Sequence, residues 1–230
     1  MGKPTFGDQI MKRKGNASLR AAQSAGAPSY VDQGVRKRAK KVVGGGARKN
    51  NSIAACHRIS DKRFRTISKA TLEKLGDSSL PVAKRKKILS SFTDLTSAMG
   101  GPKLKRKVQL ERRKNFAAML AKRATDPSPK ALTAKEQRLA LDATTDMANH
   151  APDNFFLGDS SNNSSIGERQ DARLLPPTKK GGKRSPSPVS FRIAQHTRDT
   201  LNELGEPVSP RLKALAGGSV PSGFKTSATD

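Results

Sequence analysis

Three dense runs of cations stand within one short stretch of this sequence: Lys84-Arg85-Lys86-Lys87, then Lys103, Lys105, Arg106 and Lys107, then Arg112-Arg113-Lys114, with Lys122-Arg123 just beyond. Ammonium and guanidinium groups at this density suit neutralisation of phosphate rather than bond-making. Cations set along a nucleic-acid backbone release condensed counterions, and affinity gained in this way is independent of base sequence and falls steeply with salt. Groups able to break bonds are few. Cys56-His57 is a ligand-like dipeptide, but Cys56 is the one cysteine, and only His150 and His196 add further imidazoles. A four-ligand zinc site would need distant partners. Gly44-Gly45-Gly46 lacks the spacing of a nucleotide-binding loop, and the carboxylates form neither a triad nor an acid pair. The expectation is a non-enzymatic chain with no catalytic residues, no cofactor and no metal.

Composition sharpens the class. The net charge is +26 over 230 residues, and hydrophobic residues make up 33% against the usual 45–50% or so of globular chains. Aromatic residues are 4%, and Trp is absent. Ordering a residue costs on the order of 1–2 kcal/mol. Low hydrophobicity with high charge is the signature of disorder. The chain is therefore expected to be mostly disordered with short α-helices, to form at most a small all-α cluster around residues 60–150, and to have no β-sheet. Charge is uneven: residues 1–149 hold 34 Lys/Arg and 11 Asp/Glu, the remainder 11 and 8. Nucleic acid is the expected partner of the basic part, RNA ahead of DNA. No apolar run approaches the roughly 20 residues of a membrane span, and no basic helix carries an aromatic insertion face, so no membrane partner is expected. Met1-Gly2 begins like a myristoylation site but has Phe6 where Ser or Thr is needed. The lone cysteine and the missing signal-peptide core suit a reducing compartment.

Helices must position the cations, and four are legible in the middle of the chain. Ser60-Asp61 can cap a helix carrying Phe64, Ile67, Leu72 and Leu75 and ending at Gly76. Ser79 is expected to cap a second, with Pro81 in its first turn and Ile88, Phe92, Leu95 and Met99 on one stripe. Its cations Lys84 to Lys87 lie at the positive end of the helix dipole, which suggests an external anion. A third helix runs from beyond Pro102 to Asp126-Pro127. Its cations surround much of the circumference, with only Glu111 to offset them, as in arginine-rich helices that enter RNA grooves. Gly100-Gly101-Pro102 reads as a hinge between the two cationic helices. In the fourth, Thr133 and Glu136 form a capping box, and Leu139, Ala140, Ala143 and Met147 make an apolar side suited to packing or to a protein partner.

The flanks carry short motifs. Residues 1–59 read as a flexible basic arm, in which Arg36-Lys37-Arg38, Lys40 and Lys41 form a nuclear-localisation pattern or an unspecific phosphate tract. Residues 151–230 read as a Ser/Pro/Gly-rich disordered tail with a short helix near 192–204. In that tail Phe155-Phe156-Leu157 between acids is shaped like a docking peptide for a protein partner, or like a loop closing over a local cluster. Lys183-Arg184 is a second import-like cluster, read by a nuclear import receptor. Ser128, Ser185, Ser187 and Ser209 each precede a proline and are candidates for phosphorylation, which adds about −1.5 to −2 charges per site.

Together these features point to an RNA-binding nuclear or nucleolar accessory protein, a ribosome-assembly or ribonucleoprotein subunit, with shuttling to the cytoplasm compatible with the same motifs. Three rivals fit the same composition: a virus-encoded RNA-coating or movement protein, a chromatin-associated DNA-binding protein, and a scaffold that uses short docking motifs. The Ser-Pro motifs give a direct check. Mass spectrometry of native protein should find phosphate on Ser128, Ser185, Ser187 or Ser209, and a finding that all four are unmodified removes charge regulation at these sites.

Overall fold

In the computed structural model, residues 53–101, 107–159 and 188–219 are described. The expected basic runs at 36–41, 103–106 and 183–184, together with Ser185 and Ser187, lie outside them. The described elements in chain order are β1 (Ile53–His57), α1 (Asp61–Leu75), α2 (Val82–Ala98), α3 (Lys107–Thr125), α4 (Ala134–His150), a 3-10 turn (Pro152–Asn154), β2 (Phe155–Asp159), α5 (Pro188–Leu204) and α6 (Pro210–Ala216).

The body is a small all-α cluster, as the periodicity predicts. Ser60 accepts a hydrogen bond from the backbone of Arg63 to start α1, and Gly76 ends it. Phe64, Ile67, Leu72 and Leu75 are buried along it. On α2 the whole stripe Ile88, Phe92, Leu95 and Met99 is buried, and the Phe92 ring stacks on Phe64 at 5.8 Å. The start of α2 differs from expectation. Pro81 occupies the cap with no side-chain bond, while the Ser79 hydroxyl donates to Asp77 at 2.6 Å. A carboxylate two residues upstream competes for the serine, as Asx turns do. α4 begins with the expected box: the Thr133 N–H donates to Glu136 Oε2 at 2.8 Å, and the Glu136 N–H donates to Thr133 Oγ1 at 3.3 Å. These bonds, from the Thr133 backbone first, hold the Glu136 carboxyl below its ordinary pKa.

The cluster extends past residue 150. α5 starts four residues before the expected 192, and Ile193, Thr197, Leu201 and Leu204 are all buried against α2 and α1. Burying an aliphatic side chain contributes about 1.5–3 kcal/mol relative to leaving it exposed, so this stripe suffices to draw the tail helix into the core. Small residues let α2 and α5 approach: Thr200 Oγ1 donates to the Ser91 carbonyl at 3.0 Å. α6, which the periodicity did not reveal, is capped by the Ser209 hydroxyl and buries Leu212, Leu215 and Ala216 beside α5. One antiparallel strand pair adds to the helices. β1 and β2 run in register from Ile53 opposite Asp159 to His57 opposite Phe155. The expectation of no β-sheet holds for the core layers, and this two-stranded ladder is a local closure between segments about 100 residues apart. It incorporates the backbone of Phe155, Phe156 and Leu157.

Below the ladder lies a buried polar node. Asn154 is fully buried; its Oδ1 accepts from the Ile59 N–H at 2.9 Å, and its Nδ2 donates to the carbonyls of Ile59 and Ala148 at 3.2 Å each. Arg58, 1% exposed, donates through Nε to the Asp153 carbonyl at 3.0 Å and through Nη1 to Ser190 at the start of α5. Asn154→Ala would strand a buried N–H and two carbonyls, each orphan costing about 1–3 kcal/mol. A loss of about 3 kcal/mol in urea unfolding is expected, against no more than about 0.5 kcal/mol for the exposed-site control Leu110→Ser.

Candidate nucleic-acid interface

Arg85 near the start of α2 donates through Nη1 to the carbonyl of Arg123 near the end of α3 at 3.3 Å. The cation cluster of α2 therefore lies beside the end of α3. Arg113 stands ten residues back along α3, about 15 Å away at 1.5 Å per residue. The structure does not gather Lys84 to Lys87 and Arg112 to Lys114 at one point.

Individual side chains sort further. Arg85 is 1% exposed and belongs to the interior, so it is withdrawn from the phosphate-facing set. Lys84 and Lys87 pair with the two oxygens of Glu203 on α5, at 2.8 and 2.9 Å. The carboxylate is 18% exposed and anchors both lysines. An internal anion thus accounts for two of the cations set against the α2 dipole. Lys86 alone of that cluster is exposed without an ion pair among the described residues. Arg112 is likewise engaged, 3.3 Å from Asp146 and 3.7 Å from Asp142 of α4, where Gln109 also donates to Asp146 at 3.1 Å. The acids that quiet α3 come from another helix, which a one-helix charge count cannot register.

What remains is a set of exposed cations on α3, three of which share its outer face. Lys107, Arg113, Lys114 and Lys122 are exposed, with no ion pair among the described residues. At 100° per residue, Lys107, Lys114 and Lys122 fall within about a quarter-turn of one another, spaced about 10 and 12 Å along the axis. Phe116, Met119, Leu120 and Ala124 hold the opposite face in the core. Lys122, named in the sequence with Arg123 at the end of the cationic runs, lies fifteen residues after Lys107, on the same helical face. Val108, near the start of α3, is 55% exposed.

The break between α2 and α3 is less free than its glycines suggest. Gly100 adopts φ 91°, and a side chain there would collide with that of Asp153. The Asp153 N–H donates to the Met99 carbonyl at 3.0 Å, and Arg192 of α5 bonds the Asp153 carboxylate at 2.8 Å. The Gly100 end of the expected hinge is therefore pinned. Among the phosphorylation candidates, Ser128 is exposed in the α3–α4 loop, while the Ser209 hydroxyl is engaged as the α6 cap. Phe155, Phe156 and Leu157 lie on the β2 ladder.

No group of three His, Cys, Asp or Glu among the described residues could hold a metal ion, and no helix there is long and apolar enough to cross a membrane. No protein-family model, curated protein or solved structure matches this chain.

The Lys84–Glu203–Lys87 arrangement has a pH signature. Hydrogen bonds from Lys84 first and Lys87 second hold the Glu203 carboxyl below its ordinary 4.5. A folded-state value below the unfolded one means the pair stabilises fully above about pH 4.5 and loses that contribution as pH falls through the depressed value. Urea midpoints should show Glu203→Gln less stable than the native chain at neutral pH. The gap should narrow as pH falls below the ordinary value of 4.5, and a gap independent of pH would show that the pair does not contribute.

Proposed function

We propose that this protein is a non-enzymatic RNA-binding accessory protein of the nucleus and nucleolus, a ribosome-assembly or ribonucleoprotein subunit. Its phosphate-gripping surface in this reading is the outer face of α3. The observation that carries the proposal is the exposed set Lys107, Lys114 and Lys122 on one helix face, with Arg113 beside it, none of them in an ion pair among the described residues, in a chain of net charge +26. Three lysines against the single acid Glu111 leave this face net positive, and a net-positive helix face attracts a polyanion. Lys86 extends the same sign beside the Lys122 end.

RNA is favoured over duplex DNA because the sequence concentrates cations on helices, while no recognition sheet or finger for base readout stands among the described residues. Sequence preference should accordingly be slight. The clusters at Arg36 to Lys41 and Lys183-Arg184 support nuclear import in this reading, and they add phosphate contacts of their own.

The test is binding of the full chain to single-stranded RNA and to duplex DNA of equal length across about 50 to 200 mM salt. RNA should bind more tightly, with affinity falling steeply as salt rises. The triple variant Lys107→Gln, Lys114→Gln, Lys122→Gln should lower the log–log salt slope by about 2, at roughly 0.7 per lost phosphate contact. Tighter binding to duplex DNA would favour the chromatin reading, and salt-independent binding would sink the electrostatic one.

A further inference from the structure

A groove of about 630 Å³ opens between α1 and α4, on side chains that the α3 outer face does not use. Its apolar part is aliphatic: Leu72 of α1, Leu132 of the α3–α4 loop and Leu141 of α4. Leu141 is 50% exposed, one of three large hydrophobic residues so placed among the described residues. Its charged part is mainly cationic. Lys69 and Arg65 line the α1 side, Glu73 pairs with Lys69 at 3.8 Å, and Arg123 lies between the helices.

Arg123 is the unusual member. It is 9% exposed and makes no ion pair among the described residues. Its Nη2 donates to the Lys130 carbonyl at 2.8 Å, and its Nε has no hydrogen-bond partner. The guanidinium is seated against Gly76, where any side chain would collide with it. A buried cation whose carboxylate neighbour Glu136 acts on it only from beyond ion-pair distance is costly unless another anion approaches it. The groove is the described opening from which an anion could come.

We propose that this groove docks a protein segment in which a carboxylate stands beside leucine-sized side chains, the carboxylate meeting the Arg123 edge and the aliphatic groups covering Leu72, Leu132 and Leu141. Charge complementarity selects an acidic occupant. Aliphatic lining without an aromatic platform disfavours stacked bases, and the volume suits several side chains rather than a lone phosphate. This inference is independent of the RNA reading, since the two surfaces use different residues.

The test uses the full chain and a fluorescent, end-blocked peptide of alternating Leu and Glu at physiological salt. Two controls accompany it, one with every Glu changed to Gln and one with every Leu changed to Ser. The parent should bind about tenfold or more tightly than either control, equivalent to about 1.4 kcal/mol. Leu141→Asp, at a half-exposed position, should weaken the parent by a similar factor with the helical circular dichroism unchanged. Lys69→Glu, an exposed-site variant, should weaken it in the same sense. The α3 triple variant should bind the peptide within about twofold of the native chain, which separates failure here from failure of the RNA reading. Equal binding of the Ser control would show only attraction to a +26 chain and overturn the proposal. Undiminished binding by well-folded Leu141→Asp or Lys69→Glu would also overturn it, as would displacement of the peptide from the α3 triple variant by an RNA oligonucleotide.

Discussion

Asp153 is where four segments of the chain are tied. Its N–H bonds the end of α2 at Met99, its carbonyl accepts from Arg58, its carboxylate accepts from Arg192 of α5, and its side chain crowds Gly100. Asn154, the next residue, bonds both backbone groups of Ile59 and the end of α4. A chain with 19 acids against 45 bases has few carboxylates to deploy, and several of those described bridge elements far apart in sequence. Glu203 joins α5 to α2, and Asp142 and Asp146 join α4 to α3. Each such bond removes a cation from self-repulsion while closing a long loop. Fold and charge distribution are therefore one problem here.

The consequence for the candidate interface is selection. Of the cations that look alike in sequence, those facing a neighbouring helix are paired or buried, as Lys84, Arg85, Lys87 and Arg112 are. Those facing outward on α3 form no ion pair among the described residues, and Glu136 of α4 acts on Lys122 only from a longer range. An exposed pair contributes only about 0–1 kcal/mol, so leaving Lys107, Lys114 and Lys122 without partners costs the fold little. The same positions then present undiminished charge to solvent.

Local elements were legible because their signals are local. The α1 cap at Ser60, the α2 stripe, the α4 capping box and the buried face of α5 each rest on residues within a few turns of one another. The departures are the long-range terms. Whether α5 floats or joins the core depends on small residues of α2 such as Ser91 fitting beside Thr200, 109 positions away. The α2 cluster looked like a site for an external anion because its true counter-ion, Glu203, lies on a helix expected to stand apart. Arg58 and Asn154 carry no periodic or motif signal at all, and only the folded chain brings them together. That Lys122 shares a face with Lys107 and Lys114 follows from the helical wheel alone, which needs no tertiary knowledge.

α3 serves two environments through one helical period. Its inner edge carries Arg123 into the space between α1 and α4, and its outer edge carries Lys107, Lys114 and Lys122 to solvent. Adjacent residues Lys122 and Arg123 point about 100° apart, so neighbouring cations meet different surroundings. Arginine at the buried position is physically apt, because guanidinium is more weakly hydrated than ammonium and is less costly to desolvate. Lysine at the outer positions keeps a mobile, strongly hydrated charge that adapts to phosphates at varied spacing. A helix divided in this way can be held by the core on one side without fixing the geometry of what approaches the other. That division is why charge alone, read along the chain, overstates the number of available contacts.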